Sequence, residues 1–319
     1  MKRPVLGVLL QIAVSVGLLA LLARRIPVAE VGVALARVRP ATVAGSIALA
    51  LVGYWGRAWR WNALLQRAGV TMPGRTAYCL TLVGICYGIV TPGRVGEFAR
   101  VLHLSAARAK TLTSVVWDRV GDVLLLEVMA LPAFVAIPAW RGPVLWAYLA
   151  LTAFTLAAIW ALDHPAALAA LGRLLPRLAP RLERWQAASS GTLTSPAFVS
   201  GLLGGLFFYA FVYGSAFLLL RDIAPGVSPL LGLSFPVIPL LGNLPIAFGG
   251  LGLREQVSAT VFEQFGLAAR DGVVFSLLWF VAATLVPGLI GLALAPTRWA
   301  RSGPARSPAT PVARMEIPR

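Results

Sequence analysis

Two glycine-rich segments that carry charge interrupt long apolar stretches, and chemistry is expected there first. The first break reads Thr-Pro-Gly-Arg-Val-Gly-Glu over residues 91–97, and the second break reads Phe-Gly-Gly-Leu-Gly-Leu-Arg-Glu over residues 248–255. Each break opens a new helix, where unpaired backbone N–H groups and the positive end of the helix dipole attract an anion. Nearby arginines add positive charge, so we predict that both breaks bind a phosphate-bearing ligand. The predicted binding residues in and beside the breaks are Gly93, Arg94, Gly96, Glu97, Arg100, Asn243, Gly249, Gly250, Gly252, Arg254 and Glu255.

The acidic residues of the breaks allow two interpretations. Glu97 either caps its helix and pairs with Arg94 or Arg100, or it takes part in headgroup binding or proton transfer. Arg254 and Glu255 are adjacent and therefore point to different sides of a helix, so each requires its own partner. We expect those partners to lie across the two breaks, with Glu97 paired to Arg254 and Glu255 to Arg94.

Asp118, Arg119 and Asp122 complete the predicted site. The two aspartates are four residues apart, so they share a helix face and repel each other unless compensated. We expect a cation from elsewhere, such as Arg100 or Arg254, or a proton shared between the carboxylates, and Arg119 is not expected to sit between them. Alternatively, this end of the helix lies at the membrane interface and both carboxylates are solvated.

A basic and aromatic cluster follows the second apolar stretch. Its members are Arg57, Trp59, Arg60 and Trp61. Tryptophan and arginine are both enriched where a helix leaves the membrane on its cytoplasmic side. We interpret the cluster as an anchor at that interface.

The composition explains why charges in these positions matter. The 319 residues are 58% hydrophobic and 13% charged, with a mean hydropathy of +0.80, far outside the soluble range. A formal net charge of +16 beside long apolar runs favours lipid headgroups over nucleic acid as partners. The sequence therefore predicts an integral membrane protein and excludes a soluble enzyme and a secreted disulfide scaffold. Charges at membrane depth are costly unless paired or hydrated, which makes them functional candidates.

Six regions are long and apolar enough to cross a bilayer, whose core requires roughly 20 apolar residues per helix. One of them reaches this length only by including Asp118, Arg119, Asp122 and Glu127. The first region lacks a small-residue cleavage site and is interpreted as an uncleaved span. The six regions are residues 4–23, 41–56, 111–138, 142–162, 196–220 and 272–295.

Residues 76–104 and 229–267 contain the breaks and are predicted to be re-entrant helical hairpins, because irregular backbone at membrane depth must line protein or a wet cavity. Cytoplasmic termini place 17 basic residues inside and seven outside, as the positive-inside rule requires. The hairpins then enter from opposite sides, as in inverted-repeat transporters, although chance similarity is the alternative. The predicted fold class is an all-α polytopic membrane protein with about six transmembrane helices and two opposed re-entrant hairpins.

Residues 1–299 are predicted to form the membrane domain. Within it, residues 165–190 are interpreted as a broken amphipathic segment on the inner leaflet or as a solvated basic loop. Residues 300–319 are predicted to be a disordered, basic cytoplasmic tail.

Motifs of common catalytic sites are absent from the sequence. There is no phosphate-binding loop of the Gly-x-x-x-x-Gly-Lys-Ser/Thr type, and the two histidines do not form a His-Glu-x-x-His motif. We therefore expect no cofactor and no metal, and enzymatic activity is disfavoured.

The same residues resemble the flippase-like transmembrane family of the lysylphosphatidylglycerol synthases. The resemblance covers roughly residues 5–295, and it departs mildly at Asp118, where the family often has glutamate. It implies a polytopic domain that, in the full synthases, moves an aminoacylated lipid between leaflets. The chain has no room for the synthases' soluble catalytic domain, so lysyl transfer and a tRNA partner are not expected. The motifs that carry it are 92–97 with Arg100, Asp118-Arg119 with Asp122, and Leu244-Pro245 leading to 249–255.

The leading hypothesis is a bacterial-type inner-membrane translocase whose polar midplane cavity binds a phospholipid or an isoprenoid-linked lipid. Transport would be passive or ion-driven, because no nucleotide site is present. One alternative is a lipid-modifying transferase with Asp118 or Glu97 as base, and another is a non-transporting partner of a lipid-modifying enzyme. The cargo and the oligomeric state stay open.

Overall fold

The computed structural model describes residues 2–104, 108–243 and 246–299. Within these residues all regular elements are helical, so the predicted all-α class is confirmed. The α-helices are α1 (Lys2–Arg25), α2 (Val28–Ala36), α3 (Pro40–Arg67), α4 (Gly74–Ile89), α5 (Arg108–Ala136), α6 (Pro143–Asp163), α7 (Pro165–Leu174), α8 (Ala179–Ser189), α9 (Pro196–Ile223), α10 (Val237–Gly242), α11 (Leu253–Gln264), α12 (Ala269–Phe280) and α13 (Val286–Trp299). Shorter 3-10 segments are Pro92–His103, Pro138–Trp140, Pro229–Ser234 and Phe248–Gly250, and the π-helical turn Val281–Leu285 joins α12 to α13.

Three of the described helices are long and apolar enough to cross a membrane. They are α6, α9 and the continuous helix Ala269–Leu294, and the bent pair Leu9–Arg25 with Val28–Ala36 makes a fourth candidate with an angle of 82°. The chain is therefore a membrane protein, whereas the count of six spans is not established. Helices α3 and α5 have 28 and 29 residues, enough to cross by length, and both carry charged residues of the candidate site.

Helix α3 continues 11 residues beyond the predicted end of its span and packs closely along α9. Glycines make this approach possible. A Cβ atom at Gly204 would lie 2.6 Å from the Gly56 carbonyl oxygen, and one at Gly56 would overlap the Gly204 carbonyl oxygen. The two backbones therefore touch with no layer of side chains between them.

Each glycine-rich break folds the chain back on itself. In the first hairpin, formed by α4 and Pro92–His103, Gly96 packs so closely on the Tyr87 carbonyl that no Cβ would fit. In the second hairpin, formed by α10 and α11, Gly250 approaches the Gly242 carbonyl in the same way. The tips of the hairpins meet, since a Cβ at Gly249 would lie 3.1 Å from the Ile89 carbonyl oxygen. The helix, break and helix order is thus observed for both regions.

Residues 165–190 form α7 and α8 with an interruption at 175–178. The interruption includes Pro176, as the composition of a broken segment favours, and Pro180 lies in the first turn of α8, where proline is compatible with helix. The tail predicted for residues 300–319 lies outside the described residues.

Candidate functional site

Charged side chains from α3, the first hairpin and α5 meet in one buried charge network, which also includes a tyrosine of α9. Six of the seven charged members are at most 5% exposed, and Arg119 is 21% exposed. The members are Arg57, Arg60, Glu97, Arg100, Asp118, Arg119, Asp122 and Tyr209.

Asp122 is the centre of the network. Arg60 donates to its Oδ1 at 2.8 Å and Arg57 to its Oδ2 at 3.1 Å. The Tyr209 hydroxyl also donates to Oδ1, at 3.0 Å, and Arg119 lies 3.5 Å from Oδ2. Both carboxylate oxygens are therefore saturated by donors from three helices.

Asp118 holds a second pair of guanidinium groups. Arg60 donates to Oδ1 at 2.7 Å, and Arg100 donates to Oδ2 at 2.6 Å. The Arg100 guanidinium also lies 4.1 Å from the ring centre of Trp61, which adds a cation–π contact. Arg60 joins the two aspartates, so substitution of either one affects the other.

Glu97 connects the first break to the network. It accepts a hydrogen bond from Arg57 at 3.1 Å and forms an ion pair with Arg119. Since Arg57 also contacts Asp122, one guanidinium bridges the hairpin and α5.

Residue spacing places these side chains on common helix faces. Arg57 and Arg60 are three apart on an α-helix, and the aspartates of α5 are four apart. Glu97 and Arg100 belong to a 3-10 helix, in which side chains three residues apart eclipse one another. Glycines make room for them: a Cβ at Gly88 would lie 2.8 Å from Glu97 Cγ.

The network holds four guanidinium groups against three carboxylates among the described residues. An isolated charge in a low-dielectric interior costs several kcal/mol, and removal of one partner leaves that cost uncompensated. The pairing is therefore a requirement of the fold, while the positive excess favours an anionic ligand.

A central cavity of about 80 Å³ lies between the charge network and the second hairpin. Arg57 and Asp122 line it from the network, and Arg254 and Asn243 line it from the second hairpin. Half of the remaining lining residues are aromatic, and these are Tyr54, Phe208, Tyr209, Tyr213, Trp279 and Phe280. The π-helical turn contributes Ala283, whose carbonyl accepts a hydrogen bond from Tyr54 at 2.5 Å. Such turns frequently mark functional sites.

The second break is organised locally. Gly252 has a φ of +82° and caps α11, and its N–H donates to Glu255 Oε2 at 2.8 Å. Ser276 donates to the other carboxylate oxygen at 3.1 Å. Arg254 lies 3.5 Å from Glu255 and places its guanidinium 4.1 Å from the ring centre of Phe280. Glu255 is thus a capping residue, while Arg254 faces the cavity.

Several expectations for the breaks are wrong. Two of the N–H groups expected to bind an anion are used within the chain, because Gly96 donates to Thr91 Oγ1 at 2.6 Å and Gly252 donates to Glu255. The cross-pairing of Glu97 with Arg254 is not among the contacts of the described residues. Each residue has a nearer partner instead, Arg57 or Arg119 for Glu97 and the adjacent Glu255 for Arg254.

The expectations for α3 and α5 also require correction. The aspartates of α5 are buried and paired, so the solvated alternative is wrong, whereas the expected pairing with Arg100 is observed at Asp118. Arg119 lies 3.5 Å from Asp122, because residues three apart on a helix are neighbours. The partners of Asp118 among the described residues are Arg60 and Arg100, so the expectation that Arg119 does not sit between the aspartates is not contradicted. Arg57 and Arg60 are buried partners of the carboxylates and not interfacial anchors. Without them the basic residues number 15 inside against seven outside, which keeps the predicted bias.

The structure brings most predicted residues to two adjoining places. Glu97, Arg100, Asp118, Arg119 and Asp122 are in the network, and Arg254 and Asn243 are at the cavity. Gly249, Gly250 and Gly252 shape the second break, all with positive φ. Gly93 contributes backbone to Pro92–His103, while the side chain of Arg94 lies outside the described residues. Arg57, Arg60 and Tyr209 were missed, although the spacing of Arg57 and Arg60 matches that of the aspartates.

Comparison with protein families connects this arrangement to known proteins. The family model described as the lysylphosphatidylglycerol synthase TM region matches residues 8–291. The chain therefore belongs to this family. Comparison with curated proteins gives no match.

Proposed function

We propose that this member of the lysylphosphatidylglycerol synthase membrane-region family is a translocase that moves a phosphate-bearing lipid between leaflets. One observation carries the proposal: two guanidinium groups, Arg57 of α3 and Arg254 of the second hairpin, line a single cavity next to a buried network with excess positive charge. A lipid headgroup crosses a bilayer slowly because its charge must leave water, and a cationic cavity lowers that cost.

Arg57 is the residue that couples binding to the network. Its guanidinium lies between Glu97 and Asp122 and also lines the cavity. A headgroup phosphate competes with these carboxylates for Arg57, because guanidinium groups bind phosphate through paired, charge-assisted hydrogen bonds. Asp122 keeps Arg60 and Tyr209 as donors during this exchange, and Glu97 keeps Arg119.

The second hairpin supplies the opposite wall of the binding site. Arg254 rests on Phe280, and the Asn243 amide lines the same cavity. An aromatic surface behind a guanidinium keeps water away and strengthens its attraction for an anion. The cavity of about 80 Å³ has room for several water molecules, so a headgroup requires the hairpins to separate.

The carboxylates set the charge of the empty site. With phosphate absent, Glu97, Asp118 and Asp122 compensate most of the arginine charge. If transport is driven by protons, Glu97 is the proton carrier, since it is the carboxylate on the hairpin and shares Arg57 with the cavity. The inner membrane is the proposed location, with cytoplasmic termini.

The proposal is tested with purified protein in liposomes that contain a fluorescent phospholipid, followed by reduction of outer-leaflet fluorophore with dithionite. We expect protein-dependent loss of fluorescence beyond one half. The variants Arg57→Gln and Arg254→Gln should reduce the exchange rate about tenfold or more, because each removes a charge-assisted contact to phosphate.

The matched control is Arg270→Gln, which removes an arginine that is 42% exposed and pairs with Glu30. It should leave the rate within about twofold of wild type. Correctly folded Arg57→Gln and Arg254→Gln proteins that exchange lipid at the control rate would refute the proposed path. A new lipid product formed by the protein in detergent would favour a transferase.

A further inference from the structure

A second pocket lies apart from the central cavity, where the end of α3 meets the start of α5 and the turn that follows α8. Its volume is about 310 Å³. The turn between α8 and α9 closes one side, and Trp117 forms part of the inner wall. We call it the basic pocket after its two cationic residues, Arg67 and Lys110.

The charged residues that line the basic pocket are all positive. None of the described residues that line it is acidic, and neither Arg67 nor Lys110 forms an ion pair with a described residue. The central cavity differs, because Asp122 lies on its wall beside the arginines. An uncompensated pair of cations at one pocket attracts an anion with a charge near −2.

Hydroxyl groups line the same pocket, of which that of Ser114 already donates to the Thr111 carbonyl at 2.7 Å. The hydroxyl-bearing residues are Thr113, Ser114, Ser190 and Thr192. Arg67 is fixed in place by bonds to the Ser190 carbonyl at 2.8 Å and to Thr192 Oγ1 at 3.3 Å. The Trp117 indole N–H has no hydrogen-bond partner among the described residues, which is unusual for a buried donor.

The basic pocket is separated from the charge network by a wall of buried side chains. Trp61 and Leu64 are both at most 3% exposed. Trp61 donates to Ser114 at 3.2 Å on the pocket side and stacks with Arg100 on the network side. The pocket is therefore a distinct site, and it shares no lining residue with the central cavity.

From these observations we infer that the basic pocket binds a phosphate group through Arg67 and Lys110. The group belongs either to a lipid headgroup at the membrane surface or to a soluble phosphate compound, since both present the same oxygen acceptors. The inference goes beyond translocation, because binding at this pocket requires no movement of lipid through the central cavity.

The test is isothermal titration calorimetry of purified protein in detergent with dihexanoyl phosphatidic acid and, separately, inorganic phosphate. The pocket variant is Arg67→Gln with Lys110→Gln, and the matched control is Arg173→Gln with Arg177→Gln, which removes two exposed cations from α7 and the turn after it. We expect the Kd of the pocket variant to rise about tenfold or more, while the control stays within about twofold.

The single variant Lys110→Gln leaves both Arg67 hydrogen bonds intact, so weaker binding in this variant cannot be attributed to the loss of those bonds. It should raise the Kd by a smaller factor. Binding of phosphatidic acid alone assigns a lipid source, whereas binding of inorganic phosphate with the same dependence on the variants assigns a soluble source. Failure of both ligands to bind, or equal weakening in the pocket and control variants, would overturn the inference. Lipid exchange measured in the same variants separates this result from the proposed translocation.

Discussion

The two breaks are similar in sequence but make different contacts in the structure. Both contain a glycine that is followed within three residues by a glutamate, Gly96 with Glu97 and Gly252 with Glu255. Glu97 reaches Arg57 on another helix, whereas Glu255 accepts from Gly252, three residues away. The first break is therefore part of a long-range charge network, and the second is a local cap that leaves its arginine at the cavity.

The glycines differ in the same way. Gly96 is required because it packs against the Tyr87 carbonyl, while Gly252 is required because its φ is +82°. Similar glycine-rich motifs thus meet different physical constraints. A shared motif does not define a shared role. The role of each break depends on the contacts that its acidic residue makes.

The largest difference between the breaks should appear when each glutamate is neutralised. We expect Glu97→Gln to lower the free energy of unfolding by about 3 to 5 kcal/mol, because the buried Arg57 and the partly buried Arg119 both lose a charged partner. Glu255→Gln should cost about 1 kcal/mol, since glutamine at this position still accepts from the Gly252 N–H. Unfolding in mixed micelles with increasing SDS measures both values, and equal losses would contradict the distinction.

The coupling energy between the glutamate and its arginine partner should also be larger at the first break than at the second. A double-mutant cycle between Arg57→Ala and Glu97→Gln should give about 2 kcal/mol, because the pair is buried and lies at 3.1 Å. The cycle between Arg254→Ala and Glu255→Gln should give about 0.5 kcal/mol, since that pair lies at 3.5 Å and Glu255 has two other donors. A larger coupling at the second break than at the first would reverse the comparison.

The close approach at the first break predicts a smaller effect. Gly96→Ala should destabilise the protein by about 1 to 2 kcal/mol, because the new methyl group must displace the Tyr87 carbonyl. Gly17→Ala is the control, since a Cβ there has no heavy atom within 4 Å in helix α1. Thermal unfolding followed by size-exclusion chromatography measures the stability of both variants. A Gly96→Ala protein as stable as wild type would show that the close contact with the Tyr87 carbonyl does not require glycine.

The smallest effect is expected from the aromatic support of the second break. Phe280→Leu should cost about 0.5 to 1 kcal/mol, because Arg254 loses its cation–π contact. Phe154→Leu, at a side chain that is 72% exposed, serves as the control for aromatic loss alone. The contact contributes nothing if the two variants unfold at the same SDS fraction.

The sequence predicted the elements better than the partners. Apolar runs, proline and glycine located the helices and both folded breaks, because these depend on local preference. Arg57 and Arg60 were wrongly assigned to the membrane interface, because Trp59 and Trp61 beside them are typical of a membrane anchor. The aspartates that pair with the two arginines lie about 60 residues away in the sequence, so no local pattern indicates the pairing. Only the fold shows which charges meet.

Helix type also limited the predictions for the site. The segment Pro92–His103 was expected to return as an ordinary helix, but it is a 3-10 helix, in which Glu97 and Arg100 share a face. The sequence predicted a polar cavity but not its walls, because these come from α3, α5, α9, the second hairpin and the end of α12. Asp118, Asp122 and Arg100 were found because spacing and charge alone imply their need for one another.

The contact between α3 and α9 has a mechanical consequence. At Gly56 and Gly204 the two backbones touch directly, so no side chain can change rotamer there to let one helix shift past the other. Under the proposed translocation, we therefore expect the pair to act as a fixed axis and the hairpins to move relative to it. Spin labels placed on α3 and α9 should therefore keep their separation when the cavity opens, while a label on α11 moves relative to both.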